Sequence, residues 1–133
     1  MWRFALILTM TLGGALACRH SFIVVPPPLW VVEARTEIHR TRNAFFDRAT
    51  ELVTTLDDKV SDASTMALAL SVACGPEYNA YARARAVLLG QSDRQREDRR
   101  RVLGSPKEKI RAALPIIQAH RAGQPLKRKD YPG

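Results

Sequence analysis

From Leu29 to Leu56 the apolar positions recur with the period of an α-helix. Val31, Ala34, Ile38, Phe45, Ala49, Leu52, Val53 and Leu56 are spaced so that they share one face. Glu33, Arg35, Glu37, Arg40, Arg42, Asp47, Arg48 and Glu51 occupy the other face. Glu37 with Arg40 and Arg48 with Glu51 stand three apart, close enough to pair across a turn. No glycine or proline interrupts the stretch, so one long amphipathic helix is predicted.

Asp57-Asp58-Lys59-Val60-Ser61-Asp62 ends that helix. Its three carboxylates lack the alternating spacing and the glycine of a calcium loop, so Ser61 and Asp62 are read as N-caps and no metal is expected. Ala63 to Cys74 is apolar on nearly every side, which predicts a central helix. Gly75-Pro76 stops or kinks it. A third helix follows to Leu89, with Tyr78, Tyr81, Ala82, Arg85, Val87, Leu88 and Leu89 on a mixed face and Gly90 as C-cap. Ser92 caps a charged helix to Leu103, in which Arg94 can reach Glu97 or Asp98, and Glu97 can reach Arg101. Ser105-Pro106-Lys107-Glu108 has the form of a capping box. The helix it opens should turn Ile110, Ala113, Leu114, Ile117 and Ala119 inward, kink near Pro115 and end at Gly123. The expectation is an all-α bundle of four to five helices over residues 29–123, followed by a mobile basic tail at 124–133.

The first 28 residues follow a different pattern. Met1-Trp2-Arg3 carries a positive charge, Phe4 to Leu12 is an uncharged run, and Gly13-Gly14 precedes Ala15-Leu16-Ala17. That is the layout of a secretory signal peptide, residues 1–17, and the run is too short to span a bilayer. Ala15-Leu16-Ala17-Cys18 resembles the lipobox of bacterial lipoproteins, although leucine and the small residue at the two positions before Ala17 are swapped relative to the usual order. The resemblance implies acylation of Cys18 and, with Arg19 rather than aspartate next, an outer-membrane lipoprotein facing the periplasm. Residues 18–28 then read as a lipidated, proline-rich tether, with Pro26-Pro27-Pro28 extended and Phe22 to Val25 either free or packed on the domain as an edge. Leu-Asp-Asp-x-x-Ser-Asp-Ala at 56–63, with Ala73-Cys74-x-Pro76-Glu77-Tyr78, is similar to a type of small exported proteobacterial protein; that likeness implies no activity.

Charge sharpens this picture. The chain of 133 residues has a formal charge of +8, unevenly spread. Residues 18–82 hold six Lys/Arg against eight Asp/Glu, whereas residues 83–133 hold fourteen against five. An exported basic surface is expected to meet anionic lipid, envelope glycolipid or an acidic protein. Nucleic acid is not an expected partner, because few aromatic residues lie between the arginines. The candidate anionic-surface residues are Arg94, Arg96, Arg99, Arg100, Arg101, Lys107, Lys109 and Arg111, weighed against a merely solvated helix.

No catalytic constellation is visible. His20, His39 and His120 form no i, i+4 pair, and Cys74 lies in the most apolar stretch. The expectation is a membrane-attached binding or scaffolding protein, not an enzyme, with no cofactor. A soluble periplasmic or secreted protein with a Cys18–Cys74 disulfide and an anionic partner is the alternative, and a small hydrolase the third class.

Overall fold

The computed structural model describes residues 25–124 and 126–131. The predicted signal peptide, Cys18, His20 and the tether up to residue 24 lie outside the described residues. The chain forms α1 (Leu29–Leu56), α2 (Ala63–Ala73), α3 (Gly75–Leu89), α4 (Asp93–Leu103) and α5 (Pro106–Arg121), then a short 3-10 turn at Arg128–Asp130. The described residues contain no strand, and the fold is the all-α bundle that the periodicity predicts.

Helix α1 is 28 residues long, about 42 Å at 1.5 Å per residue. It begins directly after Pro28, whose carbonyl accepts from the Val31 N–H at 2.9 Å. Its buried stripe is Ala34, Thr41, Phe45, Phe46, Ala49 and Val53. Thr41 and Phe46 widen the stripe beyond the apolar period. Thr41 is tolerated there because its hydroxyl donates to the Glu37 carbonyl at 2.7 Å, leaving no unsatisfied polar atom. Glu37–Arg40 and Arg48–Glu51 pair as the spacing predicts, at 2.6 and 2.8 Å.

Helix α1 packs along α3 and also touches α2 and α5; α2 packs mainly on α5, and α4 on α3. The molecule is therefore two helix pairs sharing one long wall. Helix α2 is not the enclosed centre that its composition predicts. Met66, Ala67, Leu70 and Ser71 are buried, but Ser64, Thr65, Ala69, Val72 and Ala73 face outward. A helix made largely of alanine and serine exposes little apolar area on its outer side, so absence of charge did not require burial on all sides. Cys74 alone separates α2 from α3; its carbonyl accepts from the Tyr78 N–H at 2.9 Å, and Pro76 sits in the first turn of α3.

Helix α3 buries Tyr78, Tyr81, Ala82, Ala84 and Ala86, and leaves Val87 and Leu89 exposed, which departs from the predicted face. Lying between α1 and α4, it uses alanines where backbones approach closely. The Tyr78 hydroxyl donates to the Leu103 carbonyl at 2.6 Å, tying α3 to the end of α4. Burial pushes that phenol up to about 12, so it stays a protonated donor.

Caps are only partly as predicted. Asp62 caps α2, accepting from the Ser64 and Thr65 N–H groups at 2.9 and 3.0 Å. Ser92 caps α4 through the Gln95 N–H, and Gln95 Oε1 accepts from the Gln91 N–H. At α5 only half of the capping box forms. The Glu108 N–H reaches Ser105 Oγ, while the Ser105 N–H donates to the Val102 carbonyl, so it does not need the Glu108 carboxylate. Helix α5 runs through Pro115 to Arg121 and buries Ala113, Ile116 and Ile117.

Two long-range ties were not anticipated. Asp57 has a fully buried side chain and meets Arg121 at 2.6 Å, with Arg121 Nε within 3.1 Å of both carboxylate oxygens. Arg121 Nη2 also donates to the Ser61 carbonyl at 2.8 Å, fixing the α1–α2 loop to the end of α5. The second tie corrects the mobile tail. Tyr131 is buried in the core and donates to the Ala112 carbonyl at 2.7 Å, Leu126 packs against the core, and Arg128 grips Asp47 at 2.6 Å. An aromatic ring with a satisfied hydroxyl and a two-pronged guanidinium outweigh the ordering entropy of a few residues.

The α3–α4 turn needs glycine for space. The Gly90 N–H caps α3 by donating to the Ala86 carbonyl at 3.0 Å, but its φ of −111° is ordinary. A Cβ there would stand 2.6 Å from Arg96 Cγ and 2.7 Å from the Arg96 nitrogen. Gly90→Ala should lower stability by about 1–3 kcal/mol in chemical denaturation, whereas unchanged stability would mean the turn opens freely.

Asp57 supplies an acid-sensitive term. Its hydrogen bonds from Arg121 hold the carboxyl below its ordinary value despite burial. A depressed carboxyl adds stability that is complete above the unfolded value, about 4, and lost as pH falls through the folded value. Asp57→Asn should therefore be less stable than wild type at pH 6, with the gap narrowing below about pH 4. A gap independent of pH in denaturant titrations would contradict this.

Candidate functional site

The first turns of α1 and the last turns of α3 lie side by side, because the two helices run antiparallel. Between them and α4 is a groove of about 360 Å³ lined by Trp30, Glu33, Ala34, Glu37, Ala84, Val87 and Arg96. Ala34 and Ala84 form its floor, where small side chains let α1 and α3 approach. Trp30 is half exposed at its rim. Arg96 is held in place by Nε donating to the Gly90 carbonyl at 3.2 Å and by Asp93 at 3.3 Å. Glu37 is engaged by Arg40, whose hydrogen bonds hold the carboxyl below its ordinary value. Such a groove can take an apolar group flanked by polar contacts; nothing in it pairs a nucleophile with a base.

The predicted anionic-surface residues do not form one patch. At 100° per residue, Arg96 and Arg100 share the side of α4 that faces α3, Arg94 and Arg101 lie on another side, and Arg99 lies between. Glu97 meets both Arg100 and Arg101, at 3.2 and 3.5 Å, in place of the predicted Arg94 pairing. Arg111 lies 3.9 Å from Glu108 on α5, Lys107 is exposed and Lys109 half-buried. Among the described residues no carboxylate pairs with Arg94, Arg99, Lys107 or Lys109. The arginines thus girdle α4; of the three that are paired, Arg96 and Arg100 face its neighbour and Arg101 does not.

Cys74 and the 57–62 carboxylates are held in structural roles. Cys74 is wholly buried, and desolvation pushes its thiol up to about 11, far from a reactive thiolate. Asp58 accepts from the Val60 and Ser61 N–H groups and the Ser61 hydroxyl, and Asp62 caps α2, so these two are occupied within their own turn, while Asp57 is held by Arg121 of α5. Among the described residues no three His, Cys, Asp or Glu side chains are placed to hold a metal ion. His39 is exposed, and His120 borders a second groove of about 360 Å³ with Phe46, Val53 and Leu126.

The residues that sequence reasoning passed over are Trp30, Glu33, Glu37 and Arg96 as members of one groove. The available signal was a tryptophan two residues after a polyproline segment and one position off the apolar stripe of α1. The groove itself needed the antiparallel pairing of α1 and α3. Comparison of the chain with protein-family models, with curated proteins and with solved structures finds no match to any of them.

Proposed function

We propose that this chain is an exported protein anchored to the cell envelope by acyl chains on Cys18, with a helical domain that binds or scaffolds and does not catalyse. The observation that carries the reading is the order Arg3, uncharged run, Gly13-Gly14, Ala15-Leu16-Ala17, Cys18, followed by a triple proline. It is supported by the way the domain is entered: Val25 to Trp30 are exposed, and among the described residues the buried ones begin at Ala34. No helix of the described residues is long and apolar enough to cross a membrane. Two or more acyl chains make such an anchor durable. The basic second half favours anionic lipid, envelope glycolipid or an acidic protein as its neighbour.

The rival arrangement is a Cys18–Cys74 disulfide in a soluble protein. A disulfide needs Cα atoms within about 7 Å, and the Cys74 side chain has no exposed surface through which a partner could enter.

The intact mass of the protein purified from its native host tests the reading. The expected result is a chain beginning at Cys18 and carrying three hydrocarbon chains. A chain that still begins at Met1, or an unmodified Cys18, would overturn it.

A further inference from the structure

Six of the nine large apolar side chains exposed among the described residues lie at one end of the bundle. They are Val25 (76%), Leu29 (72%), Trp30 (54%) and Val32 (44%) where α1 begins, and Val87 (41%) and Leu89 (51%) where α3 ends. The groove shared by Trp30, Ala34, Ala84 and Val87 shows that these two helix ends are neighbours. The remaining three, Val60 in the α1–α2 loop, Val72 on α2 and Val102 on α4, are separated from one another along the chain, as isolated surface residues usually are. A cluster of this kind marks a surface that meets an apolar phase or a partner.

We propose that this end of the domain is a second membrane contact, laying Leu29, Val32 and Trp30 into the interfacial zone of the bilayer. The inference rests on the anchored reading for what brings this end to the lipid. From Cys18 to Val25 the chain spans at most about 25 Å when fully extended, and it enters the domain at this end and no other. The first turn of α1 is therefore the part of the domain held closest to an anchoring bilayer. Its composition also suits that place. Tryptophan combines an apolar body with one N–H donor and is favoured where hydrocarbon meets head groups.

Charge points the same way. Of the three carboxylates near this end, Glu37 and Asp93 are engaged by Arg40 and Arg96, and Glu33 has no cationic partner among the described residues. Arg35, one turn beyond Val32, and Arg94, just after the α3–α4 turn, have no carboxylate partner among the described residues. They are exposed at the rim, where long cationic side chains can reach anionic head groups. Glu33 opposes this and lines the groove behind Trp30. An inserted first turn would fix the orientation of a domain that a flexible tether alone would leave free to tumble.

Trp30 reports on the contact directly. Without residues 1–17 it is the chain's sole tryptophan, and the described core, which begins at Ala34, stays whole. The chain from residue 18 can be coupled through the Cys18 thiol to a maleimide lipid in phosphatidylethanolamine–phosphatidylglycerol vesicles. Buried Cys74 will not compete for the reagent. This supplies the tether whether or not the host acylates Cys18, so failure of the anchored reading would appear in the host protein's mass and not here. The expected result is a shift of Trp30 emission to shorter wavelength on coupling, with loss of emission when the lipids are brominated near the top of the acyl chains. Leu29→Asp combined with Val32→Asp should abolish both effects with unchanged helical circular dichroism, since both side chains are exposed. Emission identical in coupled and free protein would overturn the proposal. So would a shift that grows with surface density and is not quenched by brominated lipid, because that result assigns the face to a second copy of the chain.

Discussion

Phe45 and Phe46 are neighbours in sequence, yet each is buried against a different part of the chain. Phe45 meets the edge of Tyr78 on α3 with ring centroids 5.4 Å apart, and Phe46 lies against Tyr131 at 5.1 Å. Consecutive residues on a helix diverge by about 100°, so α1 can serve as a wall for both only because its buried stripe is wide. Tyr78 continues to Tyr81 and, through its hydroxyl, to the end of α4. Tyr131 continues through its hydroxyl to α5. The two helix pairs and the C-terminal segment are thus joined through one pair of phenylalanines, and the Asp57–Arg121 pair closes the far side of the same arrangement.

Local order was legible in the sequence and long-range partnership was not. The amphipathic period located α1, the serine and aspartate caps located the starts of α2, α4 and α5, and the capped helix order gave an all-α bundle. These are properties of residues within a few positions of one another. The errors share a cause as well. Helix α2 carries no charge, which reads as burial, but alanine and serine are cheap to expose and half the helix faces out. The last residues read as a loose basic tail because Arg128 and Tyr131 have no local partner; Asp47 and Phe46, more than eighty residues away, supply them. Asp57 looked like one of three equivalent loop carboxylates, and only the return of α5 distinguishes it. The groove beside Trp30 was hidden in the same way, since its lining is split between α1, α3 and α4.

The functional reading combines a sequence signal with a surface. The leader-like first 17 residues and Cys18 argue for attachment, and the exposed apolar end of the bundle provides a face that attachment would bring to lipid. Away from that end, α4 spreads its arginines around the helix and neutralises three of them, which suits a solvated outer helix better than a focused anion site. Burial raises the Tyr78 and Tyr131 phenols and the Cys74 thiol, so these groups stay protonated inside the domain.

If α1 is the shared wall, the domain cannot come apart in pieces. Denaturant unfolding followed together by helical circular dichroism and by labelling of the Cys74 thiol tests this directly, using Phe46→Ala against wild type. Both probes should show one coincident transition in each protein, displaced by about 3–5 kcal/mol in the variant, even though Phe46 lies against the C-terminal segment and Cys74 sits at the α2–α3 junction. A Cys74 midpoint that stays in place while only part of the helical signal shifts would contradict the account.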